Sequence, residues 1–248
     1  MKLISICIKH THTTLCLGFV CISPEYPESL AASYERQENL DRSIITDQIR
    51  KTLFSANYNL FPMDATFRFG IIGHSLGCGT ATKTGDKSWT RVCVAGFPGE
   101  REDTLGGNML FISSINDGAV SLERLRSAIP SDFERMNEED DRVKGLVAEY
   151  EHEQSASDDS SSASTKTAIP RRTAMIFERE NGPNHISFLA GSVNDAMIDL
   201  LSPLLPIAQA LNIPVLDFDK YSESRDSKQT ADIMVPIVSA YLRQRMLN

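Results

Sequence analysis

Ser75 stands in the segment Gly73-His74-Ser75-Leu76-Gly77, a serine flanked by glycines at a spacing that suits a nucleophile. A serine hydroxyl is inert at its own pKa. It attacks only when a histidine takes its proton and a carboxylate holds that histidine in the right tautomer. The glycines matter because a serine lifted on a sharp strand-to-helix turn needs neighbours without Cβ atoms. The five-residue match is weak by itself, since a chain of this length holds one by chance about 8% of the time. Its surroundings add weight: residues 67–72 read as a strand running into the motif, and Cys78-Gly79-Thr80-Ala81 as the start of a helix.

The base and the acid should follow in the order Ser, acid, His, each on a loop after a strand. Asp117 follows an apolar run at 108–114, in Ser114-Ile115-Asn116-Asp117-Gly118, although an aspartate there also suits a turn or a helix cap. Glu100 and Asp103, after the run 91–97, are the competing acids. His185 follows the run 173–177 in Gly182-Pro183-Asn184-His185-Ile186-Ser187-Phe188. The remaining histidines are less well placed. His74 lies inside the motif, His152 inside an acidic run, and His10 and His12 precede every recognisable strand.

The elements that must position these groups alternate along the chain. Short apolar runs at 15–22, 67–72, 91–97, 108–114 and 173–177 have the length and composition of parallel strands buried on both faces. Between and after them lie helical patterns: Asp41 as a cap before Ile45, Ile49 and Leu53; Leu122, Leu125 and Ile129; and a region after Gly191 broken by Pro203 and Pro206. A last helix places Ile233, Ile237 and Tyr241 beside Met234, Val238 and Leu242. Strands alternating with helices predict an α/β fold with a mostly parallel sheet and helices on both faces.

Size and charge bound the rest. The 248 residues, 41% of them hydrophobic, suffice for one core, so residues 1–248 are expected to form a single domain. The net charge of −8 is local: between Ser131 and Ser160 eleven acids face three bases, which leaves the remainder neutral. That block runs into Ser/Ala/Asp repeats, and 131–170 is expected to be a disordered insert or cap. The five scattered cysteines include no Cys-x-x-Cys pair, and the histidines no His-Glu-x-x-His, so neither a metal nor any other cofactor is expected. Nothing points to a nucleic-acid partner. No apolar run reaches the ~18 residues needed to span a bilayer. The apolar start is interrupted at 9–14, unlike a secretory signal. Cytoplasmic residence is the default expectation, with plastid and secretory destinations left open.

Gly-His-Ser-Leu-Gly, the strand ending in Asn-Asp-Gly and the Pro-Asn-His-Ile-Ser-Phe segment together resemble the α/β-hydrolase superfamily, from about Gly18 onward. The segments Phe-Val-Cys-Ile-Ser-Pro-Glu-Tyr-Pro and Asn-His-Ile-Ser-Phe-Leu are similar to those of dienelactone-hydrolase-like, chlorophyllase-like and lipase-like esterases. The resemblance implies a three-layer fold, Ser75 as nucleophile, His185 as general base and acid, and Asp117 as the orienting acid. It implies that the backbone N–H of Leu76 is an oxyanion donor, and that the partner is a small-molecule ester, lipid-like or otherwise apolar. The family's second oxyanion donor comes from a loop after an earlier strand, often carrying His-Gly. No such loop precedes the run 15–22, so the N-terminal strands are expected to be truncated or replaced. A hydrolase-fold protein that binds without turnover, or a thioesterase or peptidase, are the alternative expectations.

Overall fold

The computed structural model describes residues 42–53, 68–96, 107–129, 133–144, 172–189, 205–210 and 226–246, with single positions at 191, 199 and 203. Five strands form one sheet: β1 (Gly70–His74), β2 (Thr90–Val94), β3 (Met109–Ser114), β4 (Glu134–Asn137) and β5 (Arg172–Phe177). Their spatial order is β1-β2-β3-β5-β4, and every pairing is parallel. The helices among the described residues include α1 (Arg42–Leu53), α2 (Gly77–Lys83), α3 (Leu122–Ala128), α4 (Leu205–Ala210) and α5 (Ser227–Met246). The fold class is therefore α/β with a parallel sheet.

β2, β3 and nearly all of β5 are buried along their whole length, which is why their sequences are continuous apolar runs and not alternating ones. Alternate residues divide between two clusters. Val92, Val94, Leu110, Ile112, Met175 and Phe177 pack with Met234, Ile237, Val238 and Tyr241 of α5. Ile71, Cys93, Met109, Phe111 and Ala174 pack with Cys78 and Ala81 of α2 and Leu125 of α3, and Ile45 of α1 lies against them. Successive side chains of a strand point to opposite faces, so each buried strand feeds both clusters.

Several boundaries differ from those the sequence predicts. β1 runs to His74, two residues beyond the apolar run, because its register with β2 continues through Gly73↔Cys93 and His74↔Val94. β2 stops at Val94, since Ala95 takes a φ of +47° and cannot extend the strand. Pro206 falls in the first turn of α4 and does not break it, a position where its missing N–H has no helical partner to lose. Leu125 is wholly buried on α3, whose cap is the Ser121 side chain accepting from the Arg124 N–H at 3.3 Å.

β4 lies inside the acidic block expected to be an insert or cap, yet it pairs with β5 through Glu134↔Thr173 to Asn137↔Ile176. Only Met136 of its four residues is apolar and buried. Its charges are matched across the strand ends. Arg135 and Arg126 both pair with Glu178, and Arg142 pairs with Glu134 and Asp140 at 2.9 and 2.7 Å. Solvent screens these exposed pairs, so each contributes little, but they neutralise part of the acidic block. The expected strand at 15–22, the cap Asp41, the second half of the acidic block at 145–170 and the residues around Met197 lie outside the described residues. No helix among the described residues is long and apolar enough to cross a membrane.

Candidate active site

Parallel strands end on the same side of a sheet, and the candidate residues all follow strand ends. Ser75 follows β1, Asp117 comes three residues after β3, and His185 eight residues after β5. At about 4.8 Å between neighbouring strands, β5 and β1 are roughly 14 Å apart, a span the loop after β5 must cross.

The turn at Ser75 is tight and strained. Ser75 adopts a φ of +55°, a region that costs a residue with a Cβ of order 1 kcal/mol or more. A Cβ added to Gly73 would lie 2.2 Å from the carbonyl oxygen of Gly77, so the chain folds back on itself only because position 73 has none. Gly96 is constrained from the neighbouring strand, where a Cβ would meet the Ser75 carbonyl oxygen at 2.2 Å. The Ser75 N–H donates to the Val94 carbonyl at 2.9 Å, and its carbonyl accepts from the Cys78 N–H at 2.9 Å, which begins α2. The Leu76 N–H has no hydrogen-bond partner among the described residues, and the Leu76 side chain is 64% exposed.

The Ser75 Oγ is 2.9 Å from the Nε2 of His185. On the other side of the ring, Nδ1 is 3.0 and 3.1 Å from the two carboxylate oxygens of Asp117. The carboxylate can only accept from Nδ1, so the His185 proton sits on Nδ1 and Nε2 is left as acceptor for the serine hydroxyl. Asp117 is wholly enclosed, and its Oδ1 also accepts from the N–H groups of Ala119 and Val120, both at 2.9 Å. It is thus a turn aspartate and the partner of His185 at once. Glu100 and Asp103, the competing acids, lie outside the described residues.

Residues without an assigned part in the sequence hold the histidine loop in place. Asn116, adjacent to Asp117, donates through Nδ2 to the carbonyls of Arg179 and Gly182 at 3.2 and 3.1 Å. Asn184 is buried, and its Oδ1 accepts from the N–H groups of Ile186 and Ser187 and from the Ser187 hydroxyl at 2.8–3.0 Å. An asparagine bonding its own backbone two residues on is a common local turn, so Asn184-His185-Ile186-Ser187 carried a readable signal. His74 bonds the loop from below, with Nε2 2.8 Å from the His185 carbonyl oxygen and its ring centroid 4.9 Å from that of His185. Enclosure of the His74 ring, and His185 beside it, lower its pKa to about 4.

Other reactive groups nearby are quiet. Cys78, three residues after Ser75, is fully buried, and that burial pushes its thiol pKa up, so it does not compete as a nucleophile. Among the described residues no group of three or more His, Cys, Asp or Glu could hold a metal ion. The arrangement suits proton transfer from Ser75 to His185 with Asp117 steadying the resulting imidazolium. Compared with protein-family models, curated proteins and solved structures, the chain has no match, and the site stands on its own geometry.

Proposed function

We propose that this protein is a serine hydrolase of the α/β-hydrolase type, cleaving a carboxylic ester through an acyl-enzyme. The observation that carries this reading is the continuous line from Ser75 Oγ to His185 Nε2 at 2.9 Å and from His185 Nδ1 to Asp117 at 3.0 Å, anchored on a serine with a φ of +55°. A strained serine in line with a histidine and a buried carboxylate is an arrangement with a chemical purpose more than a structural one. The topology supports it, because β1, β3 and β5 of one parallel sheet are followed by the three side chains in the chain order serine, acid, histidine. The two clusters, which take alternate residues of the same strands, support the reading of a sheet covered on both faces.

In the first step the Ser75 oxygen attacks the ester carbonyl as its proton passes to His185 Nε2. The tetrahedral oxygen gathers negative charge, and in this reading the Leu76 N–H, which has no hydrogen-bond partner among the described residues, donates to it. His185 then gives its proton to the departing alkoxide, which leaves as the alcohol, and an acyl ester remains on Ser75. Water attacks that ester, losing a proton to His185, and collapse of the second intermediate returns the proton to Ser75 and releases the acid. Asp117 accepts from the Nδ1 N–H of His185 through both steps. The exposed Leu76 beside the nucleophile favours an apolar acyl group.

The test is labelling with a fluorophosphonate probe, followed by a series of p-nitrophenyl esters of increasing chain length. Wild type should be labelled and turn over esters, while Ser75→Ala should do neither. A folded wild-type protein that resists the probe would overturn the proposal and leave a hydrolase-fold binding protein.

A further inference from the structure

The proton path uses Ser75, His185 and Asp117, and leaves His74 without a task, although its ring is packed against His185. We propose that His74 is a positioning residue for this reaction, holding His185 over Ser75 through the bond from its Nε2–H to the His185 carbonyl. This rests on the serine-hydrolase function proposed above.

The placement follows from strand geometry. Gly73 and His74 are consecutive on β1 and point to opposite faces. Gly73 is turned toward the start of α2, and His74 points to the side of Ile72, where the loop after β5 crosses. A carbonyl oxygen can only accept, so the His74 proton is on Nε2.

The tethers of His185 are complementary. Asp117 holds the far side of the ring, Asn116 holds the carbonyls of Arg179 and Gly182, and Asn184 organises the turn within the loop itself. Each of these fixes the loop to itself or to the end of β3. Among the described residues, His74 is the side chain that ties the loop to β1, the strand that carries the nucleophile. It does so one residue from Ser75, so that any drift between base and nucleophile must stretch this bond. Placing two reacting groups within a few tenths of an ångström is worth a great deal in rate, and a misplacement near 1 Å costs about 10²-fold.

The choice of histidine for this tether is also chemically suited. His185 becomes positively charged during the reaction, and a permanently charged donor such as lysine at position 74 would oppose that charge across the contact where the two rings now lie 4.9 Å apart. The enclosed His74 ring stays neutral at physiological pH and donates a hydrogen bond without adding charge.

Two variants separate the bond from the ring. His74→Phe keeps a ring against His185 but has no N–H, whereas His74→Gln loses the ring and keeps an amide N–H at the same reach. The expected result is a fall in kcat of about 10²-fold for His74→Phe, with KM and the thermal midpoint little changed, and recovery to within about fivefold of wild type for His74→Gln. Probe labelling should slow in parallel, and amide exchange across residues 182–189 should quicken in His74→Phe only. Full activity in His74→Phe, or loss in His74→Gln with retention in His74→Phe, overturns the proposal while leaving the function intact. If His74→Phe does not fold, His74→Gln decides: activity within fivefold supports the tether, and a hundredfold loss overturns it. A wild-type protein that neither labels nor hydrolyses esters overturns the function itself, and the positioning role of His74 with it.

Discussion

Replacing Asp117 with asparagine should silence the site without unfolding it, and the structure says why. The Oδ1 of Asp117 accepts from the N–H groups of both Ala119 and Val120 at 2.9 Å. In Asp117→Asn the amide oxygen must take that position, because an NH₂ group there would face two donors. The NH₂ then occupies the Oδ2 position, 3.1 Å from His185 Nδ1, and donates to it. The amide oxygen still lies 3.0 Å from Nδ1, but a proton on Nδ1 would face the NH₂ donor, which favours the tautomer with its proton on Nε2, pointing at the Ser75 hydroxyl 2.9 Å away and unable to accept from it. A reversed tautomer of this kind lowers kcat by on the order of 10⁴, about 5 kcal/mol of transition-state stabilisation. The turn keeps both of its backbone bonds, so the thermal midpoint should stay close to wild type. Turnover of a p-nitrophenyl ester and the rate of fluorophosphonate labelling measure the first effect, and a thermal melt measures the second. A folded Asp117→Asn protein that keeps more than about a tenth of wild-type kcat would refute the assignment of Asp117 as the orienting acid.

Two further outcomes follow from the same geometry. The folded-state pKa of His74, lowered from 6.5 to about 4, lies below its unfolded value, so between those values the unfolded chain binds a proton that the folded chain does not. Stability is therefore unaffected by His74 well above pH 6.5 and falls as pH drops toward 4, by about 2–3 kcal/mol. Denaturant melts at pH 7 and pH 4.5 should show a steeper loss for wild type than for His74→Gln, and parallel losses would contradict it. Gly73→Ala should be far more harmful than an ordinary glycine-to-alanine change, since its Cβ would meet backbone of Gly77 at 2.2 Å and no side-chain rotation relieves it. A loss of at least about 3 kcal/mol with no probe labelling is expected, and a stable, labelled Gly73→Ala protein would contradict the tight turn.

What could be read along the chain was what near neighbours determine. β2, β3 and β5 are recognisable as apolar runs because strands buried on both faces have no polar side to show. β4 gave no such signal: an edge strand of four residues with one buried side chain needs little apolar surface, and its acids made the segment look like a solvated insert. The end of β1 is hidden in the sequence for a related reason, as Gly73 and His74 extend the strand by pairing with β2 and not through hydrophobicity. Asn116 and Asn184 looked like loop residues because their work is to satisfy backbone groups of a loop that the sequence does not display.

The turn at Ser75 was determined by the sequence itself, because the clash that excludes a Cβ at Gly73 acts between residues four apart. Its partners were decided only by the tertiary structure. Asp117 and His185 are 68 residues apart, and nothing local distinguishes Asp117 from Glu100 or Asp103. The parallel register aligns the ends of β1, β3 and β5 on one side of the sheet, and the loop after β5 then crosses back toward β1. That crossing brings His185 against Ser75, Asp117 and His74 together, since hydrogen bonds between strands act across space where steric limits on a turn act along the chain.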